Sequence, residues 1–193
     1  MLVYTMNVSL DGYVCTPDGS LEWTKVDDEL HTWFNDQMRE IQASIYGRRL
    51  YEVMATYWPT SETDASATEP MREFGRIWRR TPRYVFSTSL DRVEHNSRLV
   101  SGDVTDVLAE IRREVPGDIE VAGPTIAGQF VRRGLVDAYR LIVHPAVLGG
   151  GTPYWPPLDA PLSLRLVETR RFASGAILLA YERDQRQPSS GAT

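Results

Sequence analysis

The chain has a single cysteine, Cys15. That excludes an intrachain disulfide, a CxxC redox pair and a cysteine-rich zinc site. Its histidines, His31, His95 and His144, show no HxxxH or other ligand spacing, so no metal site is expected. There is no GxSxG elbow, no GxxxxGK(S/T) phosphate loop and no GxGxxG motif. A serine hydrolase, a P-loop nucleotidase and the usual dinucleotide signature are therefore missing. Positive charge is also in deficit, with 21 Lys+Arg against 26 Asp+Glu and a net charge of -5. Nucleic-acid binders carry the opposite bias, so no nucleic-acid partner is expected. Met1 leads straight into Leu2-Val3-Tyr4, with no basic leader and no long apolar run. No signal peptide or membrane partner is expected, and the location expected is cytoplasmic.

What is present is ordinary globular material. The 193 residues are 42% hydrophobic and 24% charged, enough chain for one large domain. Residues 60–68 (TSETDASAT) are small and polar and read as a surface loop. Residues 184–193 (DQRQPSSGAT) read as a frayed tail. Neither separates two cores, so a single domain is expected over residues 1–183.

Along that domain the apolar pattern switches between two periods. Leu2–Val8 reads as a strand. Leu30, Trp33, Phe34 and Met38 mark a helix over Asp28–Glu40, and Asp27-Asp28-Glu29 supply its favoured acidic start. Residues 43–46 form a short strand, and Gly47 opens a helix over 48–55. Residues 70–79 form a helix with Met71, Phe74, Ile77 and Trp78 on one face. Strands at Arg83–Phe86, 96–100, 119–122 and 138–144 are separated by helices over Val104–Glu114 and 125–133. Leu164–Arg171 and 176–181 flank Ala173-Ser174-Gly175 as a hairpin. Strands alternating with helices predict a parallel sheet, and the closing hairpin makes it mixed.

In such sheets ligands bind beyond the carboxyl ends of the parallel strands. The residues that follow each strand are small, polar or cationic, as a crevice for a phosphorylated ligand requires. Gly47-Arg48-Arg49 places two arginines in a first helical turn, against the helix dipole, at a cost of about 0.3–1 kcal/mol each. A bound anion would reverse that sign; two solvated surface arginines are the plain alternative. The hydroxyls of Ser87-Thr88-Ser89 can bond a phosphate or cap a turn. Gly123-Pro124-Thr125-Ile126-Ala127-Gly128 joins a glycine that admits close approach to a helix N-terminus, or is simply a tight turn with Pro124 at the first helical position. Asp11 can orient a substrate or relay a proton, or it can make a turn with Gly12. Gly149-Gly150-Gly151 can line a pocket, shape a subunit contact or merely connect.

Taken together and in order, these residues resemble the dihydrofolate reductase-like superfamily, and within it the reductase (C-terminal) domain of the bacterial riboflavin-biosynthesis deaminase-reductase. The resemblance rests on Ser9-Leu10-Asp11-Gly12, Gly47-Arg48-Arg49, the run AGPTIAG from Ala122 to Gly128, and Gly134-Leu135-Val136-Asp137 leading to Pro145-Ala146-Val147-Leu148-Gly149-Gly150-Gly151. It covers roughly residues 2–183. It implies a three-layer α/β/α fold with a mixed, mainly parallel sheet and an antiparallel C-terminal hairpin, NADPH along the strand ends, and a homodimer. Gly47, Arg48 and Arg49 would hold cofactor phosphates, and Ser87 and Thr88 would lie near the 2′-phosphate. Gly123, Pro124, Thr125, Ile126 and Ala127 would cradle the pyrophosphate. Asn7 and Asp11 would lie near the nicotinamide and substrate, with Asp11 assisting protonation, and Trp23 matches a position that contacts cofactor or substrate. Tyr13, Trp23 and Trp33 are candidates for stacking the substrate.

Two positions depart from the pattern. The riboflavin enzymes carry a glutamate where Val121 stands. Glu120 is adjacent, but a strand neighbour points to the other face, which makes it a poor substitute. Folate reductases carry a carboxylate where Leu30 stands; Asp28 and Glu29 are displaced from it by about 100–200° around the helix. No deaminase half is expected. The expectation is a stand-alone NADPH-dependent reductase transferring hydride to a C=N or C=O bond of a small heterocyclic or sugar-like substrate, since no side chain supplies redox chemistry of its own. The alternatives are the pyrimidine reductase of riboflavin biosynthesis and a non-catalytic NADP-binding sensor.

Overall fold

The protein is described from a computed structural model over residues 1–184, the described residues. Apart from Asp184, the tail expected over 184–193 lies outside the described residues. Among the described residues ten strands and five helices follow one another. They are β1 (Leu2–Val8), β2 (Tyr13–Cys15), α1 (Asp28–Glu40), β3 (Ile41–Gly47), α2 (Arg48–Tyr57), α3 (Glu69–Arg80), β4 (Arg83–Phe86), β5 (Ser97–Val100), α4 (Val104–Glu114), β6 (Asp118–Ala122), α5 (Pro124–Arg132), β7 (Ala138–Val143), β8 (Thr152–Pro153), β9 (Leu164–Arg171) and β10 (Ile177–Arg183).

Local chemistry explains the boundaries. Asp27 caps α1, its carboxylate accepting from Leu30 N at 2.9 Å, and Arg39 stands in the last turn, where the dipole favours a cation. Asp103 caps α4 in the same way through Thr105 N. The strand expected over 96–100 starts one residue later, because His95 and Asn96 adopt left-handed backbone (φ 56° and 57°) that no strand accommodates. Helix α2 runs on to Tyr57, past residue 55. Strands β2 and β8 form a separate antiparallel pair too short to leave a periodic signal. The loop over 60–68 is turn-rich, but Ser61 and Ala67 are buried in it.

The eight-stranded sheet has the order β5-β4-β3-β6-β1-β7-β10-β9. The first six are parallel, β10 runs antiparallel to β7, and β9 runs antiparallel to β10. This is the mixed, mainly parallel sheet with an antiparallel C-terminal hairpin that the sequence leads one to expect. Helices cover both faces. On one, Leu2, Tyr4, Ile45, Ile119 and Val121 pack against Val104, Leu108 and Ile111 of α4 and Ile126 and Phe130 of α5. On the other, Leu30 and Trp33 of α1 pack on Ile142, Leu178 and Ala180, while Tyr51 of α2 meets Tyr46, Val85 and Ala122. Helix α3 joins that layer through Phe74, Ile77 and Trp78, which enclose Met38 and Ile41. The chain thus leaves β3 toward one face and the neighbouring β6 toward the other. That divergence opens a crevice at the carboxyl ends of the two strands.

Among the described residues no helix is long and apolar enough to cross a membrane.

Candidate functional site

The crevice is built from two helix N-termini that begin side by side. Gly47 is the N-cap of α2 and Gly123 the N-cap of α5, and neither helix has a side-chain cap. A Cβ on Gly47 would come within 3.4 Å of Ile126 Cγ2, and one on Gly123 within 3.5 Å of Leu50 Cβ, so the two helix starts touch. Gly123 also holds φ 95°, a conformation that L side chains rarely adopt. Pro124 follows at the first helical position, where its missing N–H costs nothing. Thr125 is exposed, while Ile126 and Ala127 are buried and anchor the helix to the sheet.

The arginines lie on the outer side of this rim, both exposed. Arg48 is bound to Glu52 one turn along α2 at 3.1 Å. Among the described residues Arg49 forms no ion pair. Phe86 of β4 is in register with Gly47, which sets Ser87 next to the start of α2. Ser87 Oγ accepts from the N–H groups of Ser89 and Leu90, so it caps its own turn, while Thr88 is exposed. Ser87, Gly47 and Gly123 therefore follow consecutive neighbouring strands along one edge, about 5 Å apart per strand.

The other end of the crevice lies beyond β1 and β7. Asn7, half-buried, is 2.9 Å from His144 Nε2 through its Oδ1. Lys25 N donates to His144 Nδ1 at 3.4 Å, which assigns the ring proton to Nε2, where it is donated to Asn7. Burial pushes the His144 pKa down, so the ring is neutral at physiological pH. Trp23 stands edge-on to His144 with centroids 5.6 Å apart, and its indole N–H is buried without a partner. The sequence singled out Trp23 and Asn7. It missed His144, which the same question, put to the end of Ala138–Val143, would have found.

Asp11 has a different set of partners. Its carboxylate accepts from the Ser9 hydroxyl at 2.6 Å, from Leu148 N at 3.1 Å and from Gly149 N at 2.7 Å. The Ser9 hydroxyl, together with these two N–H groups, holds its pKa below the usual aspartate range. Asp11 thus ties the turn after β1 to the Gly149–Gly151 loop. That loop needs its glycines. Gly149 has φ 70°, and a Cβ on Gly151, at φ 131°, would collide with Cys15 O. Tyr154 anchors the far end, stacked on Tyr4 at 4.1 Å, each hydroxyl donating to the other residue's carbonyl. Tyr13 is half-buried in β2 beside this clamp. Trp33 is not brought to the crevice. It is 4% exposed and packs edge-on against Phe34 and Phe172 in the core.

The helices on the α1 side leave the centre of the sheet incompletely covered. Glu120 sits in β6 between Ser44 of β3 and Val3 of β1, and Arg140 of β7 is in register with Thr5. Strand alternation puts these on the same face as Asn7. Both Glu120 and Arg140 keep partial solvent exposure in the middle of an eight-stranded sheet. Burial nonetheless raises the Glu120 pKa to about 7, against the opposing pull of the Arg140 charge and the Ser44 hydroxyl. Glu120 and Val121 do point to opposite faces. The face that continues to Asn7 and His144, however, is that of Glu120, while Val121 is sealed beneath α4 and α5.

A six-strand parallel array with a glycine-entered crevice and a closing antiparallel hairpin is a mixed α/β fold of the dihydrofolate reductase type. Within that class, residues 1–178 match the RibD C-terminal domain, and the chain belongs to that family. The chain is 25% identical over 181 residues to the uncharacterized protein YyaP of Bacillus subtilis, with 93% of each chain covered. Among solved structures it is similar to a protein named for riboflavin biosynthesis from Shewanella sp. PV-4, with TM-score 0.75, 21% identity, and 95% of this chain and 99% of that one covered. It is also similar to dihydrofolate reductase from Enterococcus faecalis complexed with NADP(H), with TM-score 0.64, 16% identity, and 95% and 96% covered. The deaminase/reductase of Thermotoga maritima aligns at TM-score 0.65 and 13% identity over 95% of this chain and 56% of that one. At these identities the solved structures establish the shared fold.

Proposed function

We propose that the protein is a reductase that binds NADP(H) along the carboxyl edge of its sheet and reduces a C=N or C=O bond of a small metabolite. The observation that carries this reading is the pair of touching, glycine-capped helix N-termini at neighbouring strands. Their first-turn N–H groups and positive dipole ends suit a pyrophosphate, and neither helix start has a side-chain cap hydrogen bond. Arg49, Ser87 and Thr88, outboard on the same edge, suit the additional phosphate that distinguishes NADPH from NADH. When bound, the reduced nicotinamide supplies a hydride.

The chain's own residues orient and enclose. Asn7 and neutral His144 form a fixed polar wall at the end of β1 and β7, and the unpaired indole N–H of Trp23 is a further donor beside it. Asp11 is an ionised clamp that holds the Gly149–Gly151 loop against this wall, so its contribution is positioning. Membership in the riboflavin-enzyme family and the NADP(H)-bound state of a structural relative support the cofactor assignment.

A homodimer fits the same reading. Among the described residues the edge strand β9 has no sheet partner on its outer side, and Leu166 and Val167 are 50% and 44% exposed along it, an edge that a second copy could cover. Sedimentation of the protein as a monomer would remove this part.

The test of the cofactor is a thermal-shift titration with NADPH and NADH. NADPH should raise the melting temperature at lower concentration than NADH. Equal stabilisation would show that the 2′-phosphate is not read, and no stabilisation by either would overturn the reductase reading.

A further inference from the structure

Residues 17–26, between β2 and α1, form a strap beside the carboxyl ends of β1 and β7. None of them is fully buried. Their hydrogen bonds stay local, running among Thr16, Asp18, Ser20, Leu21, Glu22 and Thr24. The exception among the described residues is Lys25 N, which donates to His144 Nδ1 at 3.4 Å. Trp23 adds an edge contact to the same ring, with centroids 5.6 Å apart. The hydrogen bonding of the strap to the sheet thus passes through a single imidazole, and that residue is 1% exposed.

The two ring nitrogens of His144 meet opposite demands. Nδ1 keeps its lone pair for the Lys25 N–H, so the proton sits on Nε2, 2.9 Å from Asn7 Oδ1. With that oxygen engaged, the Asn7 NH2 group has no protein partner among the described residues, and the side chain is only half-buried. A second proton on the ring would set an N–H of His144 against the N–H of Lys25, two donors with no acceptor between them. Nε2 would still donate to Asn7, so protonation cuts the strap's bond and spares the other. Closure has its own cost, because it leaves the Trp23 indole N–H buried without an acceptor. A ligand oxygen bonded to that N–H would remove the cost, and only while the strap is closed. The charged groups of the surrounding segments are held elsewhere. Asp11 is taken by Ser9, Leu148 and Gly149, Asp27 caps α1 at Leu30 N, and Glu29 binds Arg170 and Ala173 N at the β9–β10 turn. Arg140 lies four residues back along β7, and Glu22, Lys25 and Asp28 are exposed. Among the described residues none forms an ion pair with the ring, and burial alone lowers its pKa.

We infer that His144 is a positioning residue that latches this strap. Neutral, it holds residues 17–26 against the ends of β1 and β7 and turns the Asn7 amide so that its NH2 group is free to donate. Protonated, it lets the strap open. The latch is a property of the chain without a ligand; that the strap closes on one rests on the reductase reading above. The ligand chemistry it fits is an acceptor oxygen, as in a ring carbonyl or a carboxamide, met by the Asn7 NH2 and the Trp23 N–H. Both of these are donors, so a ligand presenting N–H groups to them would find no acceptor in either.

The test reads the free protein first. In ¹⁵N spectra of histidine-labelled protein, His144 should be the Nε2–H tautomer, and amide exchange should show the Lys25 N–H protected. As pH falls below the ordinary histidine range, that protection, corrected for the intrinsic exchange rate, should drop about tenfold, the equivalent of one hydrogen bond. His144→Asn keeps an acceptor near the Nδ1 position and does not titrate there, so it should hold the protection across the same range. His144→Leu should lack it at every pH. An Nδ1–H tautomer, protection indifferent to pH in wild type, or equal protection in the two variants would each overturn the latch. Should a variant fail to fold, the tautomer and the pH dependence of wild type still decide. NADP⁺ added at neutral pH should raise the Lys25 protection; NADP⁺ that binds without raising it would overturn closure on a ligand. Failure of NADP⁺ to bind would strike the reductase reading instead, with the latch already decided on the free protein.

Discussion

Strand β6 carries two unlike side chains one residue apart, and they belong to two unlike regions of the molecule. Val121 is fully enclosed between the sheet and helices α4 and α5, in a layer filled by Leu108, Ile111, Ile126 and Phe130. Glu120 faces the α1 side, where it and Arg140 keep partial exposure and a carboxylate, a guanidinium and an amide line one face of the sheet. The two sides of one sheet have divided their work. The sealed side contributes apolar burial and holds the strands in register. The open side gives up part of that burial to expose polar groups that a ligand can use. The lesson concerns cover more than composition, since both faces draw on the same strands.

The comparison can be broken most directly by moving the charge across it. Val121→Glu would place a carboxylate in the sealed layer and should cost about 3–5 kcal/mol in urea unfolding, the scale of an uncompensated buried charge. A variant as stable as wild type would mean that the α4–α5 side is as open as the other. Arg49→Ala should leave unfolding unchanged and weaken NADPH binding by about 1.5–3 kcal/mol, the scale of a hydrogen bond to a charged group. Unaltered affinity by calorimetry would return Arg49 to the solvated surface. Gly123→Ala should lower stability by about 1–3 kcal/mol, because φ 95° strains any side chain there. A crystal structure of that variant with unshifted backbone and full stability would remove the glycine requirement.

The smallest effect is a pH slope. The folded pKa of Glu120, about 7, lies above its ordinary value of 4.5. Between those values the native state keeps a proton that the unfolded chain has released. Its contribution to stability is present below pH 4.5 and is lost as pH rises through 7, by at most about 1.4 kcal/mol per pH unit. Glu120→Gln should flatten that slope in unfolding titrations; an identical slope would place the titrating group elsewhere.

Much of the architecture was legible in the chain. Periodicity located Leu2–Val8, Asp28–Glu40 and Val104–Glu114 because long amphipathic or apolar segments impose their own period. Strands β2 and β8 were not legible, being two or three residues held by partners far away in sequence. At the site, the rule that ligands gather at strand ends led to Gly47, Ser87 and Gly123, which do share an edge. Trp33 was legible only as an aromatic on a helix; its neighbours Phe34 and Phe172 place it in the core. Asp11 was visible as a carboxylate after a strand, but its partners Leu148 and Gly149 lie about 137 residues along the chain, and no local pattern encodes them.

The order of residues by itself determined the alternation of strands and helices, the glycine-entered helix starts and the membership of a known family. These depend on local backbone preference and on motifs that recur in fixed sequence. Which face of β6 opens to solvent was decided only by tertiary structure. Alternation dictates that Glu120 and Val121 oppose one another, but helices from distant segments choose which of the two is covered.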